Sequence, residues 1–300
     1  MEKFSFSSAL MHFRNSQGPS GFVWKWLLAY VLVFGLANTI TGMISLYASY
    51  QAYEAAAQGD FRFTRPFSNI WLSVLPVPFF VAITVMFEAS ALRWYIRREG
   101  FSLSFGKDEF RLLGVFLCWA GIVILLIFAG VLFFMIFGDT IISNMSRSVA
   151  ANLIITSLLA LPFIGLAIYV AVSFMTASAL TIRENKVLFI SSKRIASGKF
   201  WRLFAAALVA LLPFYALDLM VELFVVPLVL QLTNSPPQDW SLYDPTNVFQ
   251  TEVVVTVVTV GVFVLTVPIL QLIMLGITSK AVLTDPDWVG QTDTVAETFK

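Results

Sequence analysis

Three acidic residues lie inside stretches that are otherwise oily: Glu88, Asp218 and Glu222. A charged carboxylate at the centre of a bilayer costs at least about 2.5 kcal/mol, so each is a candidate for work that needs a charge. Asp218 and Glu222 are spaced i, i+4 and share one helix face. Such a pair could carry a proton or a cation. Pro213, shortly before Asp218, removes a backbone donor and frees the carbonyl of Val209, so local irregularity is expected there. The alternative reading is structural. Glu222 then reaches outer headgroups, Asp218 hydrogen-bonds to Asn38, Thr39 or a similar group, and Glu88 pairs with a nearby arginine.

The cations gather in two islands. Arg97, Arg98, Lys107 and Arg111 mark the first, and the second runs from Arg183 to Arg202, closing on Lys199 and Arg202. These six are the candidate lipid-headgroup contacts, because a Lys or Arg beside an anionic leaflet contributes about 1 kcal/mol. Any multispan chain also needs such residues for topology alone, and both readings stand at this point. Asp108 and Glu109 suit the first turn of a helix, where its dipole favours negative charge.

Other chemistry finds little support. There is one cysteine, Cys118, and one histidine, His12. No zinc pattern and no internal disulfide can be built from them. Cys118 falls in an apolar run and reads as a small buried hydrophobe. The segment from Gly100 to Lys107 has the outline of a phosphate loop, but its glycines are too far apart and Asp108 stands where Ser or Thr must hold magnesium. Asn144-Met145-Ser146 is a formal glycosylation sequon of no specificity. No nucleophile–base pattern is visible, so no enzyme, metal or cofactor is expected. A net charge of +1 gives no argument for nucleic acid. The expected partners are membrane lipids, with a partner protein or a second copy of the chain as further possibilities.

The elements that must position these residues follow from composition. Of 300 residues, 58% are hydrophobic and only 12% charged. A soluble domain carries about 25% charged residues, so lipid must be the solvent for much of this surface. Six apolar runs cover residues 26–48, 70–92, 112–137, 149–182, 203–231 and 253–277. A bilayer core of about 30 Å needs about 20 helical residues, and each run is long enough. The runs are continuous rather than alternating, which excludes barrel strands. The expected fold is an all-α bundle of six transmembrane helices spanning residues 22–283. Residues 1–21 precede it as an amphipathic interfacial segment, and residues 284–300 follow as a tail. In the first segment Phe6, Leu10 and Phe13 recur as one apolar face. Pro162, Pro213, Pro227 and Pro268 are the expected kinks.

Sixteen of the nineteen Lys and Arg fall on one side of this arrangement. That side is expected to be cytoplasmic, with both termini on it. The outer connections are then 49–69, 138–148 and 232–252, the last carrying Trp240 and Tyr243 as interfacial anchors. The basic ends also repeat. Trp24-Lys25-Trp26, Phe110-Arg111-Leu112 and Trp201-Arg202-Leu203 open the odd-numbered spans, and Ala-Ser-Ala-Leu ends the second and fourth at 89–92 and 177–180. This pattern reads either as three related hairpins or as convergence, since helices entering a bilayer tend to start with an aromatic and a snorkelling cation.

The segments Glu88-Ala-Ser-Ala-Leu-Arg93 and Leu103-Ser-Phe-Gly-Lys-Asp-Glu-Phe-Arg-Leu112, with the opening Phe4-Ser-Phe-Ser-Ser-Ala9, resemble a group of uncharacterised six-span inner-membrane proteins of alphaproteobacteria. More distantly, Ser197-Gly-Lys-Phe-Trp-Arg-Leu-Phe204 is similar to the membrane domain of some bacterial glycerophosphoryl diester phosphodiesterases. The resemblance implies a bacterial inner-membrane module. It transfers no catalytic residue, because the phosphodiesterase's catalytic domain is a separate soluble part that nothing here matches.

Overall fold

The computed structural model describes residues 4–14, 16, 18–57, 76–143, 149–232 and 245–285. The chain is an all-α membrane protein, with six helices long and apolar enough to cross a bilayer among those residues. In order these elements are α1 (Phe6–Leu10), α2 (Phe22–Ala57), α3 (Val77–Arg97), α4 (Lys107–Ser143), α5 (Val149–Phe174), α6 (Ala177–Glu184), α7 (Ser192–Ser197), α8 (Phe200–Met220), a π-helical turn at Val221–Val225, α9 (Val226–Leu232) and α10 (Pro245–Leu283). No described residue forms a strand. Residues 70–75 of the expected second span, the sequon at Asn144, Trp240, Tyr243 and residues 286–300 lie outside the described residues.

Contacts divide the chain into two compact units. One comprises Met1–Ala9, Phe105–Ala205 and Ile277–Lys300; the other comprises Leu10–Ser104 and Ala206–Gly276. In the second, α2 and α3 pack through an aromatic ladder. Phe22, Trp26, Tyr30 and Phe34 recur at i, i+4 on α2 and are buried, while Trp24, Leu28, Leu32 and Leu36 face outward. Phe87 of α3 meets Trp26 edge-on at 5.5 Å, and its carbonyl accepts a hydrogen bond from Trp26 Nε1 at 3.0 Å. That bond satisfies the one polar atom an indole brings into an apolar contact. Phe22 stacks on Trp94 at 4.6 Å. Gly18 lies against the same indole, and a Cβ there would collide with it.

In the other unit, Val115 of α4, Ala177 of α6 and Phe189 form a buried cluster with Trp119, Ile122 and Phe174 around it. The fourth apolar run is not one helix. A turn at Met175–Thr176 separates α5 from α6, and the buried Thr176 hydroxyl donates to the Ser192 carbonyl at 3.3 Å. The helices run through Pro162, Pro213 and Pro268. Pro227 differs, because the π-turn precedes it and the Val226 N–H bonds to the Val221 carbonyl, five residues back. The irregularity expected beside Asp218 thus falls one turn later. Its cause is the ring of Pro227, which crowds the carbonyl four residues before it until the turn widens.

The interfacial N-terminal segment also differs from expectation. The helix there has five residues, Ala9 is its buried member and Phe6 is exposed, while Phe4, buried too, precedes it. Cys118 is exposed rather than buried. The inward face of α4 is set by Leu112 and Val115, and a helix in lipid has no need to hide its remaining apolar residues.

The three aromatic–basic–apolar steps share one register. Trp24 is 78% exposed while Trp26 is fully buried. Phe110 and Trp201 are likewise exposed, and Leu112 and Leu203 buried. Each helix entrance therefore shows an aromatic ring outward and anchors an apolar residue inward.

Candidate functional site

The first basic island neutralises much of itself. Arg93 is buried, ion-paired with Glu99 at 3.7 Å, and donates to the Ser102 carbonyl at 3.3 Å. Arg97 reaches the same carboxylate at 3.7 Å. At the start of α4 the Gly106 N–H donates to the Glu109 carboxylate at 2.8 Å, half of a capping box. Arg111 donates to Asp108 at 2.8 Å and to the Asn185 side chain at 3.1 Å. Asp108 and Glu109, both buried, therefore hold a helix start and one arginine.

The second island clamps chain ends. Lys199 Nζ donates to the Ala281 carbonyl at 2.6 Å and to Thr284 Oγ1 at 3.3 Å, and Arg183 donates to the Val282 carbonyl. Both carbonyls lie in the last turn of α10, where the Val282 carbonyl also accepts from the Asp285 N–H at 3.2 Å, and cations there suit the helix dipole. Burial lowers the Lys199 ammonium below the ordinary lysine value, with Asp285 opposing the shift and Arg183 adding to it. Arg202 donates to the Phe4 carbonyl at 3.0 Å, and Lys199 lies over the Phe4 ring at 5.6 Å. Of the six candidate headgroup contacts, Arg97, Arg111, Lys199 and Arg202 are therefore engaged within the protein.

Arg98 and Lys107 are not so engaged. Lys107 is exposed at the first position of α4. Arg98 ends α3 in the left-handed region, at φ 58 and ψ 31, and is exposed. Among the described residues no side-chain partner meets its guanidinium. One further exposed lysine, Lys186, joins this set, whereas Lys193, also exposed, lies 5.9 Å from the centre of the Tyr169 ring. Both belong to the eleven Lys and Arg of the two islands that could meet anionic lipid, although not to the six candidate contacts above. Their signal was the apolar residues beside them, Val187 and Ile190, both of which are exposed.

The acidic residues do not converge. Glu88 is half-buried on α3. Asp218 and Glu222 are both exposed, Glu222 within the π-turn. Asp218 stands eighteen residues beyond Phe200, about 27 Å along a helix axis, close to the full thickness of a bilayer core. Asn38 and Thr39, the expected partners of Asp218, instead bond the carbonyls of Phe34 and Gly35 on their own helix, at 2.8 and 2.7 Å. His12 stacks on Tyr95 with ring centroids 5.3 Å apart. No family model, curated protein or solved structure matches this chain.

Proposed function

We propose that this chain is a non-enzymatic module of a bacterial inner membrane that holds anionic phospholipid through the cations its fold leaves exposed. Both termini lie on the cytoplasmic side, as the unequal sharing of Lys and Arg supports.

The observation that carries this reading is Arg98. A left-handed residue closing a helix is ordinarily Gly, sometimes Asn, and the equivalent position after α6 is Asn185, at φ 57. An arginine in that conformation costs about 1 kcal/mol or more. The Arg98 and Glu99 N–H groups both donate to the Arg93 carbonyl and hold this cap, while among the described residues nothing meets the Arg98 guanidinium, which leaves that side chain to a ligand outside the chain. At the basic end of a membrane protein, a headgroup phosphate is the ligand that a guanidinium fits best.

A porter using Asp218 and Glu222 is the rival. The π-turn at Glu222 favours it, since such turns recur at functional sites. The exposure of both carboxylates and their distance from the basic end favour a structural role instead.

The test is native mass spectrometry after a mild detergent wash. Wild-type protein should retain anionic phospholipid. Arg98→Gly should retain several-fold less while melting at the same or a higher temperature, because the strain is relieved. Asp218→Asn should change neither. Loss of all lipid from the wild type contradicts the proposal, and pH-dependent ion flux in proteoliposomes that Asp218→Asn abolishes would replace it with the porter.

A further inference from the structure

The second basic island, the connection that follows the fourth apolar run, turns back on itself. Arg111 meets Asn185 where α6 ends. Three residues later the Leu188 N–H donates to Thr181 Oγ1 at 3.3 Å, folding the chain against α6. Phe189 then inserts between helices. It stacks on Phe174 at 4.8 Å and meets Trp119 edge-on at 5.5 Å. Trp119 stands eight residues past Arg111 on α4, about 12 Å further along the axis. The chain therefore moves out to Arg111 and returns toward the level of Trp119.

The return is fixed on both sides. Ser192 Oγ donates to the Phe189 carbonyl at 2.6 Å, and its own carbonyl accepts from Thr176. Lys193 Nζ lies 5.9 Å from the centre of the Tyr169 ring, and Tyr169 packs on Phe200 at the start of α8. With Phe189 and Ser192 turned inward, the outward residues include Val187, Ile190, Lys186, Lys193 and Arg194, beside the small polar Asn185 and Ser191.

Ile190 is 81% exposed. Leaving an isoleucine in water forgoes about 2 kcal/mol of burial. The neighbours of this segment sit along apolar spans, and its outward face mixes apolar tips with cations. That is the chemistry of an element lying in the interfacial plane of a bilayer.

We propose that residues 185–199 form a re-entrant headgroup clamp. Val187 and Ile190 enter the acyl region, and Lys193, steadied over Tyr169, holds the phosphate of an anionic phospholipid. The proposal rests on the lipid-binding reading above but uses residues in a different unit from Arg98.

The test places a bimane label at Ile190→Cys in a Cys118→Ala background, reconstituted in phosphatidylcholine vesicles. Either phosphatidylcholine or phosphatidylglycerol brominated on its acyl chains is then added. Both quenchers should act, and the phosphatidylglycerol severalfold more strongly. Lys193→Gln should reduce that preference to parity, and Lys193→Arg should restore it. Quenching by neither lipid means that water or a protein covers Ile190, which overturns the clamp. Equal quenching by both in the Lys193 parent overturns the role of Lys193. In either case, retained lipid that depends on Arg98 would leave the wider reading intact.

Discussion

Lys107 and Lys199 each follow a glycine in the two basic islands and end in opposite situations. Lys107 stands exposed at the start of α4, whereas Lys199 is drawn in to close the last turn of α10. A hydrogen bond from a charged donor contributes about 1.5–3 kcal/mol. Lys199→Met should therefore lower the melting temperature in detergent clearly, with a loss of at least about 1 kcal/mol after allowance for its half-exposed position. Lys107→Met should melt like the wild type. Equal melting of the two variants would show that the clamp contributes nothing. The sequence alone does not separate these lysines, because the partners of Lys199 lie more than eighty residues away. The roles of Asp108 and Glu109 were legible, since a helix start recruits acids from its own first turn.

At the scale of elements, continuous apolarity was the readable signal, and its interruptions were not. A turn at Met175–Thr176 costs no apolar residue, so the fourth run reads as unbroken although α5 and α6 are separate helices. The return of residues 185–192 is hidden for a related reason. Phe189 and Ile190 look alike in sequence, yet the first is a plug between Trp119 and Phe174 and the second faces out. Phe189→Ala should cost about 3 kcal/mol, as large-to-small changes in packed sites do. Ile190→Ala should leave stability in detergent within about 0.5 kcal/mol, as surface changes do. A thermal melt comparing the two checks this, and a larger loss at Ile190 would reverse the assignment of faces. The π-turn before Pro227 was half legible. Proline predicts that something must give, but not whether the helix bends, breaks or widens.

For the whole molecule, six crossings could be read because a bilayer leaves a chain few choices. Every backbone group must be satisfied within the span, so long apolar runs become helices. The lipid-facing surface also explains Cys118, whose apolar setting suggested burial when lipid was its solvent. The repeated outward aromatic and inward apolar residue at three helix entrances gives the molecule one basic end after another at Trp24, Phe110 and Trp201. Headgroup binding at Arg98 and the clamp at residues 185–199 both require that these basic ends face the cytoplasm. The most direct measurement is thiol labelling in intact cells of Ser104→Cys and Ser191→Cys, each in a Cys118→Ala chain. Neither position should react with a membrane-impermeant maleimide until the inner membrane is permeabilised. Labelling of either one from the periplasm would contradict the orientation on which lipid binding at these basic ends depends.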